Sequence, residues 1–319
     1  MTEDNTGRYP FRHVANLYLY EYRGAFAKST YDERIRRYRR MAKDMEELQR
    51  RGKITSTDPA KMTSEDVKAF YDMLRDRNLS TNGIAHEITA LKSLCVFRGN
   101  NAVDTCRGKY SAVKCRKPTF RLQTTPDRIF KQIMDAGNQY EDSYDKLRNY
   151  AVVVCAYCAG MRPVEIQHAR IENLDIERGI IHVDVVKGQG KYGEPRNIPI
   201  HPRGLKILCC YVKARNARWG DRGYLFISPS GSYLSTNTLR KFKNEVERNV
   251  DYKFDFREGR RTFGQLLINE GVSIEDLSVI MGHRTSKTTE IYYARRTQSS
   301  AVENVFNVWR GREEVDAKK

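Results

Sequence analysis

The sequence has one clear strand pattern, whereas its other regular segments are spaced like helices. Residues 180–186 read IIHVDVV and residues 196–200 read RNIPI, and the glycine-rich stretch KGQGKYGEP lies between them. Two short apolar runs separated in this way are typical of a hairpin with a long tip. We therefore predict a mainly helical chain of 319 residues with a small antiparallel sheet in its second half.

Helical spacing accounts for the first hundred residues. Two helices are predicted within residues 11–48, and in the second of them apolar side chains recur at three- and four-residue steps. Thr63 and Asp66 resemble a capping box at the start of a third helix, and a fourth helix is expected at about residues 80–97. Residues 11–100 are therefore predicted to form a small helical bundle.

Helices are also predicted on both sides of the hairpin. The segment 125–127 resembles a helix start, and a strongly apolar helix over residues 146–159 is expected to end at Gly160. Further helices are predicted over residues 203–217, 235–249, 258–270, 273–281, 287–296 and 299–309. The second half of the chain is therefore predicted to be a mixed α+β domain.

The chain is strongly basic. It has 57 Lys and Arg residues against 40 Asp and Glu residues, which gives a formal net charge of +17. This charge favours a polyanionic partner, with nucleic acid as the first candidate. No stretch approaches the roughly 18 apolar residues that a membrane span needs, and the N-terminus does not resemble a signal peptide. We expect a cytoplasmic protein without membrane contact.

The seven cysteines indicate neither disulfides nor a metal site. Their number is odd, and the CxxC pair Cys155 and Cys158 lies in an apolar segment without a second pair or a nearby histidine. Free thiols packed as small hydrophobic groups explain these residues better. The sequence has no glycine-rich nucleotide-binding motif and no zinc quartet, so we expect neither a cofactor nor a metal.

A basic stretch separates the two halves. Residues 107–121 hold six Lys and Arg side chains and no acidic one. We interpret residues 8–106 as one domain, 107–124 as a basic linker and 125–312 as a second domain. A run of charges is usually a solvated loop, but a position between two domains favours a linker that lies along the phosphates of a nucleic acid. The candidate nucleic-acid-binding residues are Lys109, Lys114, Arg116, Lys117 and Arg121.

Four short motifs in the second half concentrate charged and nucleophilic groups, and each has an ordinary structural explanation when taken alone. They are GMRPVEI with Arg162 and Glu165, the strand exit with Lys187, REGRRTF with Arg257, Arg260 and Arg261, and Gly282-His283 followed by Tyr292. Their order is the informative feature: an arginine, a lysine, a basic residue three positions before an arginine, Gly-His, and a tyrosine nine residues after the histidine.

This order resembles the signature of the tyrosine recombinases, the phage-integrase family that includes the Xer-like site-specific DNA recombinases. The stretches GMRPVEI, RRTFGQLLINEGVSIEDLSVIMGH and KTTEIYY resemble family boxes, and the resemblance covers about residues 125–296. It implies the fold of the DNA breaking-rejoining enzymes, in which a SAM-like core-binding helical bundle precedes an α+β catalytic domain. The N-terminal half matches only as a helical bundle of suitable size.

The resemblance implies that DNA is cleaved through a covalent 3′-phosphotyrosyl intermediate. Tyr292 fits the nucleophile by its spacing from the histidine, and the adjacent Tyr293 is its competitor. Because the covalent link keeps the energy of the phosphodiester bond, rejoining needs neither ATP nor a metal. A planar guanidinium group can meet two phosphate oxygens at once, and Arg162 and Arg260 are the candidates for this clamp.

The other implied site residues have acid–base or supporting roles. Lys187 is the candidate general acid for the leaving 5′-oxygen, but the hairpin tip is longer than is common in the family, so Lys191 is the alternative. His283 is expected to bind the scissile phosphate or to help position the tyrosine. Glu165 is expected to orient the arginines.

Arg257 departs from the family pattern, in which histidine is usual at this position. An arginine stays protonated, so Arg257 cannot be the base for the tyrosine proton, although it can donate hydrogen bonds to phosphate. Either water or His283 takes the base role, or the alignment is shifted and Arg261 is the local rival as a second phosphate-facing arginine.

The resemblance also implies the partners. These are double-stranded DNA at specific sites, held between the two domains, and further copies of the chain in a tetramer, so that the DNA-bound protein would be nucleoid-associated. The predicted final helix either docks on a neighbouring subunit or packs on its own domain. The alternative functions are a DNA-binding protein without catalysis, a type IB topoisomerase and a basic RNA-modifying enzyme.

Overall fold

The chain divides into two compact units, the first ending at Phe120 and the second beginning at Arg121. Each unit has its own hydrophobic core. None of the described helices combines the length and the apolar character that a membrane span requires. The computed structural model describes residues 10–114, 123–140, 143–186 and 194–282.

The described part of the first unit is a bundle of five α-helices. Their inward faces bury apolar side chains, among them Met45, Phe70 and Ile88, which are almost fully excluded from solvent. The helical bundle predicted from the spacing of apolar residues is therefore confirmed. The helices are α1 (Pro10–Glu21), α2 (Lys28–Arg50), α3 (Ser64–Asp76), α4 (Thr81–Phe97) and α5 (Ala102–Lys109), and a short 3-10 turn covers Ser111–Lys114.

The capping box predicted at the start of α3 is present. The backbone N–H of Thr63 donates to Asp66 Oδ2 at 2.8 Å, and the backbone N–H of Asp66 donates to Thr63 Oγ1 at 3.2 Å. The buried Asp66 carboxylate also accepts from the backbone N–H of Thr55 at 2.6 Å. One carboxylate thus satisfies donors at the helix start and in the loop before it.

Helix α5 occupies the beginning of the segment that the sequence indicated as a linker. Ala102, Val103 and Cys106 bury their side chains in the bundle, so the helix continues to Lys109. Eight residues make only about two turns, which is too short for apolar spacing to stand out in the sequence. Residues 115–122 of the predicted linker lie outside the described residues.

The second unit surrounds a buried central helix. Helix α7 is buried over most of its length and packs against α9, α10 and α11, which explains why it lacks a polar face. The helix α8 was not predicted, because six residues are too few for a periodic pattern. The helices of this unit are α6 (Asp127–Gly137), α7 (Tyr144–Tyr157), α8 (Pro163–His168), α9 (Pro202–Trp219), α10 (Thr236–Val250), α11 (Phe256–Asn269) and α12 (Ile274–Met281).

A small antiparallel sheet completes the second unit, as predicted. Its strands are β1 (Leu174–Asp175), β2 (Ile180–Val183) and β3 (Arg196–Pro199), in that spatial order. The register pairs Ile181 with Ile198 and Val183 with Arg196. Strand β2 ends earlier than residue 186, where the sequence had placed its end, and the two-residue β1 was not predicted.

The CxxC pair lies in the core of this unit. Cys155 and Cys158 are buried free thiols, and burial raises the pKa of Cys155 to about 12. A buried thiol with a raised pKa is a poor nucleophile and a poor metal ligand. Among the described residues, no three His, Cys, Asp or Glu side chains lie close enough together to hold a metal ion.

Candidate active site

The first part of the site is the turn that leads into α8. Gly160 has a φ of +57° and Pro163 is the first residue of the helix, so Arg162 between them is held in an extended conformation. The Glu165 side chain folds back on this turn and accepts from the backbone N–H of Arg162 at 2.8 Å. It also accepts from Arg162 Nη1 at 2.9 Å. The helix start thus fixes Arg162 and Glu165 relative to each other.

Glu165 is the centre of a cluster of arginines. Its fully buried carboxylate accepts two hydrogen bonds from Arg196, at 3.1 and 3.0 Å, and its Oε2 lies 3.9 Å from Arg260 Nη1. Burial alone would raise the pKa of Glu165, but the hydrogen bond from Arg196 and the charges of Arg196, Arg260 and Arg162 outweigh it and lower the pKa. We call Arg162, Arg196, Arg260 and Glu165 the arginine cluster.

The same three arginines hold the C-terminal end of α12. Arg196 Nε donates to the carbonyl of Ile280 at 2.8 Å, and Arg162 Nη2 donates to the carbonyl of Gly282 at 3.4 Å. Arg260 Nη2 donates to the carbonyl of Met281 between them. Three consecutive carbonyls at the negative end of a helix dipole therefore each receive a cation. The next residue of the sequence is His283.

Gly282 is required where α12 ends. Its φ is +60°, and a Cβ placed on it would lie 3.0 Å from Arg196 Cδ and Nε. Any other residue would be strained in this conformation and would press on the guanidinium group. Two physical reasons thus require the glycine of the predicted Gly-His motif: the backbone conformation that ends α12, and the close approach of the chain to Arg196.

Arg260 is held by the packing of α11. The helix buries Phe256, Gly259 and Phe263. Arg260 follows Gly259 on this buried side, and only 5% of its surface is exposed. Its Nη1 donates to the carbonyl of Gly160 at 2.5 Å, at the other end of the turn that carries Arg162. The two arginines predicted as a clamp are therefore brought to one place.

The two other arginines of α11 lie at its surface. Arg257 is exposed and makes no hydrogen bond or ion pair with the other residues that the structure describes. Arg261 Nε donates to the carbonyl of Gln123 at 2.9 Å, which ties α11 to the start of the second unit. Among the described residues, Arg260 is thus the member of this motif that joins the arginine cluster.

Arg196 was not predicted as a site residue from the sequence. The signal was its place on β3, two residues before the buried Ile198, because alternate residues of a strand point to the same face. An arginine on the buried face of a strand requires a carboxylate or carbonyl partner inside the protein. Its side chain is only 8% exposed, compared with 26% for Arg162. Arg162 is therefore the member of the cluster that solvent reaches most easily.

The charges of the cluster do not balance. Three guanidinium groups surround one carboxylate, so positive charge is in excess at a mostly buried place. Carbonyl groups at the helix end offset part of this cost, and an anion bound beside Arg162 would offset more. The arrangement is suited to a phosphate with developing negative charge.

Two of the predicted DNA-binding residues, Lys109 and Lys114, belong to the described part of the chain. Lys109 is described, and its Nζ donates to Ser64 Oγ at 3.0 Å and to Glu65 Oε1 at 2.9 Å. The hydrogen bond that Lys109 donates to the Glu65 carboxylate raises the pKa of Lys109, so the charge of Lys109 is already paired within the first unit. Lys114 ends the 3-10 turn. The other predicted residues lie outside the described residues: Lys187, Lys191, His283, Tyr292, Tyr293, Arg116, Lys117 and Arg121. The predicted helices 287–296 and 299–309 also lie outside them.

Comparison with known proteins decides the family. The model of the phage integrase family matches residues 124–299, more than half of the chain. The chain belongs to the phage integrase family. The matched range contains the arginine cluster and all four motifs found in the sequence. The chain is thus a tyrosine-type site-specific DNA recombinase, as the motifs predicted, and the comparisons do not favour a topoisomerase or a non-catalytic regulator.

Two curated members of the family are similar over most of their length. The tyrosine recombinase XerA of Pyrococcus furiosus is 27% identical over 237 residues, which cover 72% of this chain and 76% of XerA. The tyrosine recombinase XerC of Oceanobacillus iheyensis is 24% identical over 247 residues, which cover 73% of this chain and 76% of XerC.

Solved integrase structures share the fold. The Tn1549 transposon integrase in complex with circular intermediate DNA has a TM-score of 0.66 at 20% identity, covering 92% of this chain and 99% of that one. A lambda integrase dimer bound to a COC′ core site has a TM-score of 0.61 at 14% identity, covering 90% of this chain and 79% of that one. The predicted fold class, a helical bundle with an α+β catalytic domain, is confirmed.

Proposed function

We propose that this integrase-family protein cleaves and rejoins duplex DNA at specific sites with Tyr292 as nucleophile. The arginine cluster is the observation that carries the proposal, because it gathers an excess of cations at the end of α12. Gly282, which ends this helix, lies one residue before His283 and ten residues before Tyr292 in the sequence. Transesterification of a phosphodiester requires a nucleophile and groups that stabilise the charge on the phosphate oxygens.

The proposed reaction proceeds in two balanced steps. The Tyr292 oxygen attacks the phosphorus, loses its proton to water or His283, and expels the 5′-oxygen, which takes a proton from Lys187 or Lys191. The 5′-hydroxyl of a second strand then attacks the phosphorus and gives its proton back to the neutral lysine. The tyrosine oxygen leaves and regains its proton from the water or His283 that had taken it. Arg162 stabilises the charge on the non-bridging oxygens with Arg260 behind it, and Glu165 holds both arginines in place.

The proposed assembly is a tetramer on two duplex DNA sites, with each chain contacting DNA through both units. The net charge of +17 and the basic segment from residue 107 to 121 support this proposal, since phosphate contacts dominate the affinity of DNA-binding proteins. Arg116, Lys117 and Arg121 are the proposed linker contacts, with Lys114 beside them, whereas Lys109 contributes less because Glu65 pairs with it. A DNA-bound tetramer would be associated with the nucleoid.

Covalent trapping tests the proposed function. The full chain is incubated with a library of nicked suicide duplexes, and protein–DNA adducts are isolated after denaturation and sequenced. We expect an adduct on a restricted set of sites, lost in Tyr292→Phe and kept in the matched control Tyr293→Phe. An adduct that survives Tyr292→Phe would move the nucleophile elsewhere, and binding without any adduct would remove the catalytic proposal.

A further inference from the structure

Arg196 links three separate segments of the second unit through one side chain. It is the first residue of β3, and its two Nη atoms hold both oxygens of Glu165, at 3.1 and 3.0 Å, in α8. Its Nε holds the carbonyl of Ile280 in the last turn of α12. All the nitrogens of its guanidinium group are thus bonded to protein groups, and the side chain is 8% exposed.

We propose that Arg196 is a positioning residue for DNA cleavage: it fixes the Glu165 carboxylate beneath Arg162 and Arg260, and it sets the end of α12 from which the chain continues to His283. This inference rests on the proposed function. It assigns Arg196 no contact with DNA, because each of its three guanidinium nitrogens already donates to Glu165 or Ile280 and its side chain is only 8% exposed.

The geometry explains why one side chain can have a large effect. Arg162, Arg196 and Arg260 share one carboxylate and donate to three consecutive carbonyls, so removal of Arg196 releases Glu165 on one side and α12 on the other. A displacement of reacting groups by about 1 Å costs on the order of 100-fold in rate. The planar fork of arginine is matched to a carboxylate, whereas lysine offers a point charge.

Three elements that pack around Glu165 each direct one charged group at its carboxylate. Arg162 faces it from the start of α8, Arg196 from β3 and Arg260 from α11, and no other titratable group among the described residues bonds to its carboxylate. Burial raises the pKa of Glu165, and Arg196 is the strongest opposing influence. Loss of Arg196 is therefore expected to move this pKa upward.

The first experiment measures single-turnover adduct formation on the suicide duplex selected with the unaltered chain, at saturating DNA. We expect Arg196→Gln to lower the rate on the order of 100-fold, while DNA affinity and its salt dependence stay unchanged. Arg178→Gln removes the same charge from an exposed turn between β1 and β2 and serves as the matched control, with an unchanged rate. If Arg196 touched a phosphate, the salt slope of binding would fall by about 1, and the inference would be wrong.

The second experiment uses pH to separate positioning from a general loss of folding. We expect the adduct rate of Arg196→Gln to fall on the acid side at a higher pH than that of the unaltered chain, and Arg196→Gln combined with Glu165→Gln to lack this fall. Arg196→Lys keeps the charge and should recover part of the rate without the shifted profile. The rate is divided by the folded fraction, measured by circular dichroism.

The possible outcomes are distinct. Superimposable pH profiles for Arg196→Gln and the unaltered chain, or a rate loss that only follows the folded fraction, would refute the positioning role. Should the unaltered chain form no adduct, the proposed function fails instead. An adduct with a normal profile in Arg196→Gln would leave the proposed function standing and remove this inference alone.

Discussion

At the scale of single residues, one buried carboxylate organises the site. Glu165 is bonded by Arg162 and Arg196 and lies near Arg260, so each arginine is held through a shared partner rather than by its own acid. Removing one partner of such a group leaves uncompensated buried charge, which is costly. Stability and the proposed phosphate binding are therefore coupled at this position.

We predict that Glu165→Gln lowers the free energy of unfolding at neutral pH by about 3–5 kcal/mol, because three guanidinium groups then lack a counter-charge. Since the pKa of Glu165 is lowered in the folded chain, its stabilisation is complete above the ordinary value of 4.5 and is lost as pH falls below it. Urea unfolding from pH 7 down to pH 3 should show the gap between the two proteins closing.

The control for this prediction is an exposed ion pair. Glu172 pairs with Arg170 at 3.3 Å at the surface, and Glu172→Gln should change the free energy of unfolding by less than about 1 kcal/mol. A Glu165→Gln chain that is as stable as this control would mean that the arginine cluster does not need its carboxylate.

The two hairpin lysines make a second prediction at this scale. If Lys187 protonates the leaving 5′-oxygen, Lys187→Ala slows adduct formation, and a 5′-bridging phosphorothiolate restores it because a thiolate leaves without a proton. Lys191→Ala is the matched control and should show neither effect. Rescue of Lys191→Ala in place of Lys187→Ala would assign the general acid to Lys191.

At the scale of elements, the site depends on the close approach of two helices. Gly259 of α11 lies against α7, and a Cβ placed on it would be 2.9 Å from the Tyr157 ring and 3.2 Å from Ala156 Cβ. This contact sets how closely α11 packs against α7. It therefore also sets the position of Arg260, the next residue of α11. Tyr157 OH is in turn 2.6 Å from Thr125 Oγ1, which donates to Glu258 at 2.7 Å.

Gly259→Ala is expected to lower the free energy of unfolding by about 1–3 kcal/mol, because the added methyl group pushes α11 away from α7. It should also slow adduct formation, since Arg260 moves with the helix. The matched control is Gly108→Ala in α5, where nothing lies within 4 Å of the added Cβ. That variant should gain up to about 1 kcal/mol, and an equal gain in Gly259→Ala would contradict the close-packing argument.

At the scale of the whole molecule, the chain is two units with separate cores. The division at residues 120 and 121 falls within the segment 107–124 that was predicted as the linker, although α5 occupies the start of that segment. Both tryptophans, Trp219 and Trp309, belong to the second unit. Tryptophan fluorescence therefore reports on the second unit, whereas circular dichroism reports on both.

We predict that Phe70→Ala destabilises the first unit by about 3–5 kcal/mol because it removes a fully buried ring. In a urea titration, part of the circular dichroism signal should be lost earlier while the tryptophan transition stays in place. Phe226→Ala in the second core is the converse variant and should move the tryptophan transition. Equal shifts of both signals in Phe70→Ala would show that the units unfold together.

The sequence by itself determined the order of the motifs, the helices longer than about ten residues and the hairpin, because these repeat a period or a spacing within a short stretch. It also determined the eight-residue α12, because Ser273 and Gly282 mark its two ends. Only the tertiary structure decided on α5, α8, β1 and the role of Arg196. These three elements have too few residues to show a period, and no cap had marked their ends in the sequence. The partners of Arg196 lie 31 residues before it and 84 residues after it, so their meeting depends on how the whole unit packs.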